Sequence, residues 1–222
     1  MKGSRGMVSR ARTTSESATA SSYPNKLGRV VLTAAEQVMG LNGLKTILTQ
    51  ARLQHLYAAY PANNHAREFS FEDMGRLLRA LDEMYGRRTG RRLARRIGRR
   101  CFALGTTDLP LVLFLARVTF RLLPLETRLR VGLEVAARVM GRYTGHPVRL
   151  RENEEHYYWV TENCGFCWLR SCSSPCCDVL VGLVEEAVSW IARGGDFSVE
   201  ETTCVAQGDS SCTIQIGKQP LN

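Results

Sequence analysis

The sequence predicts an α+β fold: N-terminal helices, then a small antiparallel sheet crossed by one further helix. Two observations carry this. Apolar residues recur at three- and four-residue spacing from Lys26 to Gly145, and from His146 onward the period shortens to two. The chain's 222 residues, 44% of them hydrophobic, suffice for one core and hardly for two. The expected organisation is a disordered tail over residues 1–24 and one domain over 25–222, helical over 25–145 and sheet-bearing over 146–218.

The tail is Ser-, Thr- and Ala-rich with a single acid, Glu16, and has no periodicity. An Arg- and Ser-rich, acid-poor leader also fits a transit peptide, and composition does not separate the two. Three helical stretches follow, LGRVVLTAAEQVMG, NGLKTILTQARLQHLYAAYP and FSFEDMGRLLRALDEMYG, each bounded by Gly, Asn or Pro. Ser70 is placed as an N-cap, with Glu72 and Asp73 in the first turn behind it. LPLVLFLARVTFRLLPL, interrupted by Arg117 and Arg121 and closed by Pro124, is too short and too charged to span a bilayer and reads as a buried or cavity-lining helix. ETRLRVGLEVAARVMGRYTG completes the helical series at Gly145.

HPVRLREN and EEHYYWVTENC alternate as two antiparallel strands, and a cysteine-rich loop, CGFCWLRSCSSPCC, follows. DVLVGLVEEAVSWIARGG reads as an amphipathic helix ended by glycines. DFSVEETTCVAQ, turn GDSS and CTIQIG make a closing hairpin.

The net charge of +9 is local. Arg87–Arg100 holds eight arginines and no acid, so the rest of the chain carries +9 − 8 = +1. Arginine pairs every four residues, with Leu93, Ala94, Ile97, Cys101 and Phe102 in the gaps, describe one basic amphipathic helix. It is either a solvated face or a docking face for an anionic partner such as phosphate, an anionic membrane surface or an acidic protein. Nucleic acid is not expected as a partner, because no reader motif is present and arginines alone carry no base information. The chain has neither an apolar run of membrane-spanning length nor a secretory h-region, so a cytoplasmic protein, at most peripheral to a membrane, is expected.

Seven of eight cysteines fall between Cys164 and Cys212. In a reducing compartment disulfides explain such clustering poorly, and metal binding explains it better. In a hairpin turned at Gly208-Asp209, Cys204 and Cys212 lie on adjacent strands and can approach one centre. Glu201, three residues upstream, reaches that centre only if the strand bends or bulges. Zinc takes four such ligands, so a further one must arrive from elsewhere, with Cys176 or Cys177 the natural candidates. The rival is an iron–sulfur cluster, a second zinc site or simply reduced loop thiols on the run Cys164, Cys167, Cys172, Cys176 and Cys177, which the sequence does not separate. His55, His65, His146 and His156 are scattered and read as surface or turn residues.

The segment from Pro175 to Gly217 resembles the 4-vinyl-reductase domain family, whose pattern is met at Pro175, Cys177, Gly182, Glu201, Cys204, Ala206, Gly208, Asp209 and Cys212. YPNKLGRVVL, FSFEDM and EEHYYWVTENC also resemble stand-alone bacterial members. That family is similar to the sensory domains of phenol-responsive transcription activators and, more distantly, to TRAPP subunits. The resemblance implies an α+β fold, a homodimer, an apolar ligand cavity and a structural zinc held by Cys177, Glu201, Cys204 and Cys212. The stretch between Cys177 and Glu201 is one residue longer here, placed at Gly194-Gly195, which leaves Cys176 open as a substitute ligand.

The function expected is therefore binding of a hydrophobic small molecule, with zinc as a closed structural site. The resemblance points to a tetrapyrrole of bacteriochlorophyll synthesis as the ligand. The pocket is expected between Leu111–Leu123 and the strand Tyr157–Trp159, with Phe114, Phe120, Tyr157 and Trp159 in its wall. No dinucleotide fingerprint, P-loop or Ser-His-Asp pattern marks a complete enzyme, and no catalytic residue is assigned. If the chain does catalyse, the expectation is vinyl reduction through the iron–sulfur alternative.

Overall fold

A computed structural model describes residues 21–107, 115–116 and 118–221. A short ribbon opens it: β1 (Ser22–Pro24) pairs antiparallel with β2 (Arg67–Ser70), and the helix α1 (Asn25–Gln50) lies between them in sequence. Residues 22–24 correct the expected tail boundary. Tyr23 is buried there, its ring 4.5 Å from Phe71 and 5.7 Å from Phe166, and three residues are too few to show a period. The helix α2 (Phe71–Gly105) starts where expected, with the Asp73 N–H donating to Ser70 Oγ at 3.0 Å. Both long helices break at a glycine in a left-handed conformation, Gly40 (φ 77°) and Gly86 (φ 68°), which is why the sequence reads as separate helical stretches there.

The helix α3 (Leu125–Thr144) ends at Gly145 in the αL conformation, its N–H bonded to the Gly141 carbonyl. The sheet then builds as β3 (Val148–Glu152), β4 (His156–Thr161), β5 (Asp196–Thr203) and β6 (Cys212–Leu221), in the order β3-β4-β6-β5 and antiparallel throughout. The last strand runs three residues beyond the expected limit of 218. β4 alternates strictly: Tyr157, Trp159 and Thr161 face the core, with Ile214, Ile216 and Cys212 beside them on β6.

The helix α4 (Asp178–Ala192) joins the sheet to the helices. It crosses α2 at a pair of glycines. A Cβ on Gly182 would overlap the Arg95 carbonyl oxygen, and one on Gly98 would overlap the Val179 carbonyl oxygen, so the two backbones touch. That contact gives Gly182 a steric reason to be glycine. Beside it runs a ladder of charge. Arg91 and Arg95 each reach Asp178 Oδ1 at 3.2 Å, and Arg95 and Arg99 hold the two oxygens of Glu185 at 3.0 and 2.9 Å. Arg87 binds Ser173 and Ser174, and Arg100 binds Gln37.

The arginine helix is thus spent largely on the protein itself. Arg95 and Arg99, both candidates for an outside partner on sequence grounds, are turned toward α4. The exposed row of Arg88, Arg92 and Arg96 has no ion pair among the described residues. No helix of the described residues is long and apolar enough to cross a membrane.

Candidate metal centre

The centre is built at the end of the β5–β6 hairpin. On a regular strand Glu201 and Cys204, three residues apart, would face opposite sides of the sheet. The ladder pairs Glu201 with Ile214 but Thr203 with Thr213, so a bulge falls between Glu201 and Thr203. One extra residue reverses the alternation and brings Glu201 and Cys204 to the same face. The turn is fixed locally: Gly208 sits at φ 104°, and the Asp209 carboxylate accepts the Cys204 N–H at 2.8 Å. The Ala206 carbonyl accepts the Cys172 N–H at 2.9 Å, tying the cysteine-rich loop to the hairpin.

Cys177, the residue before α4, enters from across the sheet. Its N–H donates to Glu201 Oε2 at 2.7 Å. A short 3₁₀ turn, Gly165–Cys167, brings in the fifth group. The ligand atoms of Cys167, Cys177, Glu201, Cys204 and Cys212 all lie within 4.8 Å of one another. Cys167 Sγ is 2.9 Å from Cys177 Sγ, 3.4 Å from Cys204 Sγ and 3.3 Å from Cys212 Sγ, and Cys177 and Cys212 stand 3.8 Å apart. Thiolates around a single tetrahedral ion with bonds of ~2.3 Å stand about 3.8 Å apart, so this set can hold one such ion.

The four residues singled out by the resemblance, Cys177, Glu201, Cys204 and Cys212, are brought together. Cys167, which sequence reasoning placed with the rival cluster, joins them. The C-x-x-C spacing from Cys164 was the available signal. Cys164 lies at the edge, 3.5 Å from Cys177. Cys172 and Cys176 form a disulfide with each other, where sequence reasoning expected ligands or reduced thiols; their loop returns on itself within four residues. Cys176 still approaches Cys204 at 4.0 Å, but Cys177 is the one bonded to Glu201. Gly194 and Gly195, where the extra residue was placed, lie in the turn between α4 and β5, both with positive φ.

Electrostatics follow from burial and crowding. The Glu201 carboxyl is pushed up to about 8 by burial, against the pull of the Cys177 N–H bond. Its other oxygen, Oε1, is buried with no hydrogen-bond partner among the described residues. Cys167 is held far below the usual thiol range because Cys164, Cys177, Cys204 and Cys212 all aim at its sulfur. Cys204 is pushed up by Cys167 but pulled down more by Cys177 and Cys212, to about 6. Cys177 and Cys212 are raised by the same crowding. A set of four buried thiols and a carboxylate, with one carboxylate oxygen lacking a partner among the described residues, has the donor chemistry of a cation site.

The expected pocket residues fall elsewhere in the core. Phe114 lies outside the described residues, as do residues 111–113 and 117 of the expected Leu111–Leu123 wall. Phe120 is buried against Trp190, ring centroids 6.2 Å apart. Tyr157 and Trp159 are buried on the inner face of β4. The Tyr157 hydroxyl donates to the Glu126 carbonyl at 3.2 Å, while Trp159 Nε1 has no hydrogen-bond partner among the described residues. Between α1 and α2 the apolar wall leaves about 10 Å³, and an open cleft of about 460 Å³ lies between α3 and β3. His55 and His65 are exposed, and His146 and His156 are half-buried beside Phe71 and Tyr158.

The chain matches no protein-family model and no curated protein. Solved structures share its fold. An Fe(II) unliganded H-NOX protein from K. algicida superposes with a TM-score of 0.56 at 13% identity, over 89% of this chain and 97% of that one. The phenol-responsive sensory domain of the transcription activator PoxR, solved with phenol, gives 0.48 at 18% identity, over 69% and 77%. A trafficking protein particle complex subunit 3 from Naegleria fowleri, covalently bound to palmitic acid, gives 0.43 at 12%, over 65% and 84%. The H-NOX likeness establishes a shared fold.

Proposed function

We propose that this protein binds a hydrophobic small molecule, as a sensor or carrier, on a scaffold pinned by one zinc ion. The observation that carries the metal half is the set of buried Cys167, Cys177, Cys204 and Cys212 with half-buried Glu201, its donor atoms within 4.8 Å of one another and one carboxylate oxygen lacking a partner among the described residues. Cys177, Cys204 and Cys212 supply three ligands. Glu201 is the fourth in the pattern of the 4-vinyl-reductase family, and Cys167 stands ready as a fourth thiolate. Four protein ligands close a zinc site to substrate, so the ion's work is to hold the hairpin against the start of α4.

The ligand half rests on the fold, which is shared with an Fe(II)-bearing H-NOX protein, and on the motif from Pro175 to Cys212. We assign the ligand to flat apolar ring compounds and take a tetrapyrrole of bacteriochlorophyll synthesis as the first to test. A homodimer is part of the same reading, as the motif's family implies.

A vinyl reductase with an iron–sulfur cluster is the second reading, favoured by the entry of Cys164 and Cys167 into the thiol group. Against it stands the tightness of that group. Inorganic sulfides between several irons hold the cysteines of a cluster further apart than one ion does.

Metal analysis with an absorption spectrum, on protein purified anaerobically from its native host, tests the pair. One zinc per chain, with no acid-labile sulfide and no visible absorption beyond the sharp bands of any co-purified tetrapyrrole, is the expected result. Iron with acid-labile sulfide and a broad visible band overturns the zinc reading in favour of the cluster. Titration of a chlorophyllide into the zinc protein should quench Trp fluorescence saturably, and no saturable response to any apolar ring compound removes the ligand half.

A further inference from the structure

Surface helices of a folded chain turn polar residues to water. In the described part of the stretch between α2 and α3, one side turns apolar residues to water instead. Residues 115–116 and 118–120 are helical, and the turn continues through the Leu122 N–H to the Thr119 carbonyl at 3.1 Å. Phe120 points inward onto Trp190, and Leu123 packs half-buried against the core. On the outer side stand Leu115, Val118 and Leu122, three and four residues apart, 56%, 46% and 86% exposed. Leu122 leaves nearly its whole side chain in solvent, and the three make one face rather than scattered singletons.

Basic charge lies next to this face. Arg121 is exposed within it. Phe102, near the end of α2, packs on the same Trp190 as Phe120, with centroids 6.4 Å apart, so the end of α2 abuts the segment. Arg96 lies six residues before Phe102, about 9 Å along the axis and about a third of a turn round toward solvent, and Arg92 and Arg88 continue the row one turn at a time. These three arginines are exposed and have no ion pair among the described residues, unlike their neighbours on the α4 side.

We propose that this surface docks the protein on an anionic lipid bilayer, with Leu115, Val118 and Leu122 entering the headgroup–acyl boundary and Arg88, Arg92, Arg96 and Arg121 meeting lipid phosphates. Aliphatic teeth beside unneutralised guanidinium groups match such a surface in both polarity and charge. A second copy of the chain matches it poorly, because a two-fold contact through this patch sets the same arginines against themselves. No helix of the described residues is long and apolar enough to cross a membrane, so the proposed attachment is peripheral. The inference does not depend on the metal centre.

The test is co-sedimentation of the full chain with vesicles of pure phosphatidylcholine and with vesicles one-quarter phosphatidylglycerol, at low and high salt. Binding to the anionic vesicles alone, lost at high salt, is expected. Arg88→Gln with Arg92→Gln and Arg96→Gln should weaken it about a hundredfold, at about fivefold for each arginine. Leu115→Ser with Val118→Ser and Leu122→Ser should weaken it roughly tenfold or more, and because all three are exposed the melting temperature should hold.

Equal binding to both vesicles, no binding to either, or a serine triple that binds like the parent overturns the proposal. So does release of the vesicle-bound protein by inorganic phosphate at matched ionic strength, which would reveal a site for free anions. If the parent instead sediments as a dimer that the serine triple dissolves, the face belongs to a second copy and the bilayer assignment falls.

Discussion

Two polar regions meet on α4, and they solve burial differently. Along its flank, Asp178 and Glu185 are answered by Arg91, Arg95 and Arg99, all from one neighbouring helix, and the ladder is complete within the chain. At its N-terminal end, Cys177 opens a set of thiols and a carboxylate that includes no basic side chain, and Glu201 Oε1 has no hydrogen-bond partner among the described residues. A buried charge is tolerated when something opposite stands against it. The ladder carries its opposite in sequence. The centre could take it only from outside, as the ion of the proposed function, which is why the first region reads as architecture and the second as a candidate binding site.

The sharpest way to break that contrast is to remove a thiol. Cys212→Ser or Cys204→Ser should abolish stoichiometric zinc and lower stability by several kcal/mol, less than the ~10 kcal/mol of small zinc domains because this domain has its own core. Calorimetry of parent, variant and chelator-stripped parent checks it. A stripped protein that melts with the untreated one would mean the centre is as self-sufficient as the ladder. Next in size, Gly182→Ala forces α4 off α2, since its Cβ meets the Arg95 carbonyl, and should cost about 3 kcal/mol in a denaturant titration.

Glu201 gives a test with a sign. Its folded-state carboxyl lies near 8, above the ordinary 4.5. In metal-free protein its contribution is therefore full below about pH 4.5 and lost as pH rises through about 8. Glu201→Gln should flatten that decline in the metal-free form while weakening zinc in the loaded form. An unchanged pH profile would remove Glu201 from the centre's electrostatics.

The ladder supplies the smallest effects. Arg95→Gln withdraws the group shared by Asp178 and Glu185 and should cost about 1–2 kcal/mol. Arg92→Gln, one turn-face away in solvent, should change stability by less than ~0.5 kcal/mol. Equal losses would mean the two sides of α2 are not distinct.

Much of this was legible in the sequence, for local reasons. Gly40 and Gly86 announce the helix breaks because few other residues adopt positive φ, and Ser70 announces a cap because its hydroxyl meets a free N–H two or three residues on. The β3–β4 alternation and the Gly208-Asp209 turn are likewise set by near neighbours. Even the bulge at Glu201 could be anticipated, since one carboxylate and one thiol three residues apart cannot share a face without it.

What only the tertiary structure decided depends on residues far apart in the chain. Tyr23 turns a supposed tail into a strand through rings at Phe71 and Phe166. Cys167 joins the hairpin thiols from a separate loop, whereas Cys172 and Cys176 pair off with each other. The arginine repeat is the clearest case. Its spacing is the same on both sides of α2, and the acids of α4, more than eighty residues on, choose which arginines are used inside and which remain for something outside. Periodicity fixes which residues share a face, but a partner across the fold fixes what that face is for.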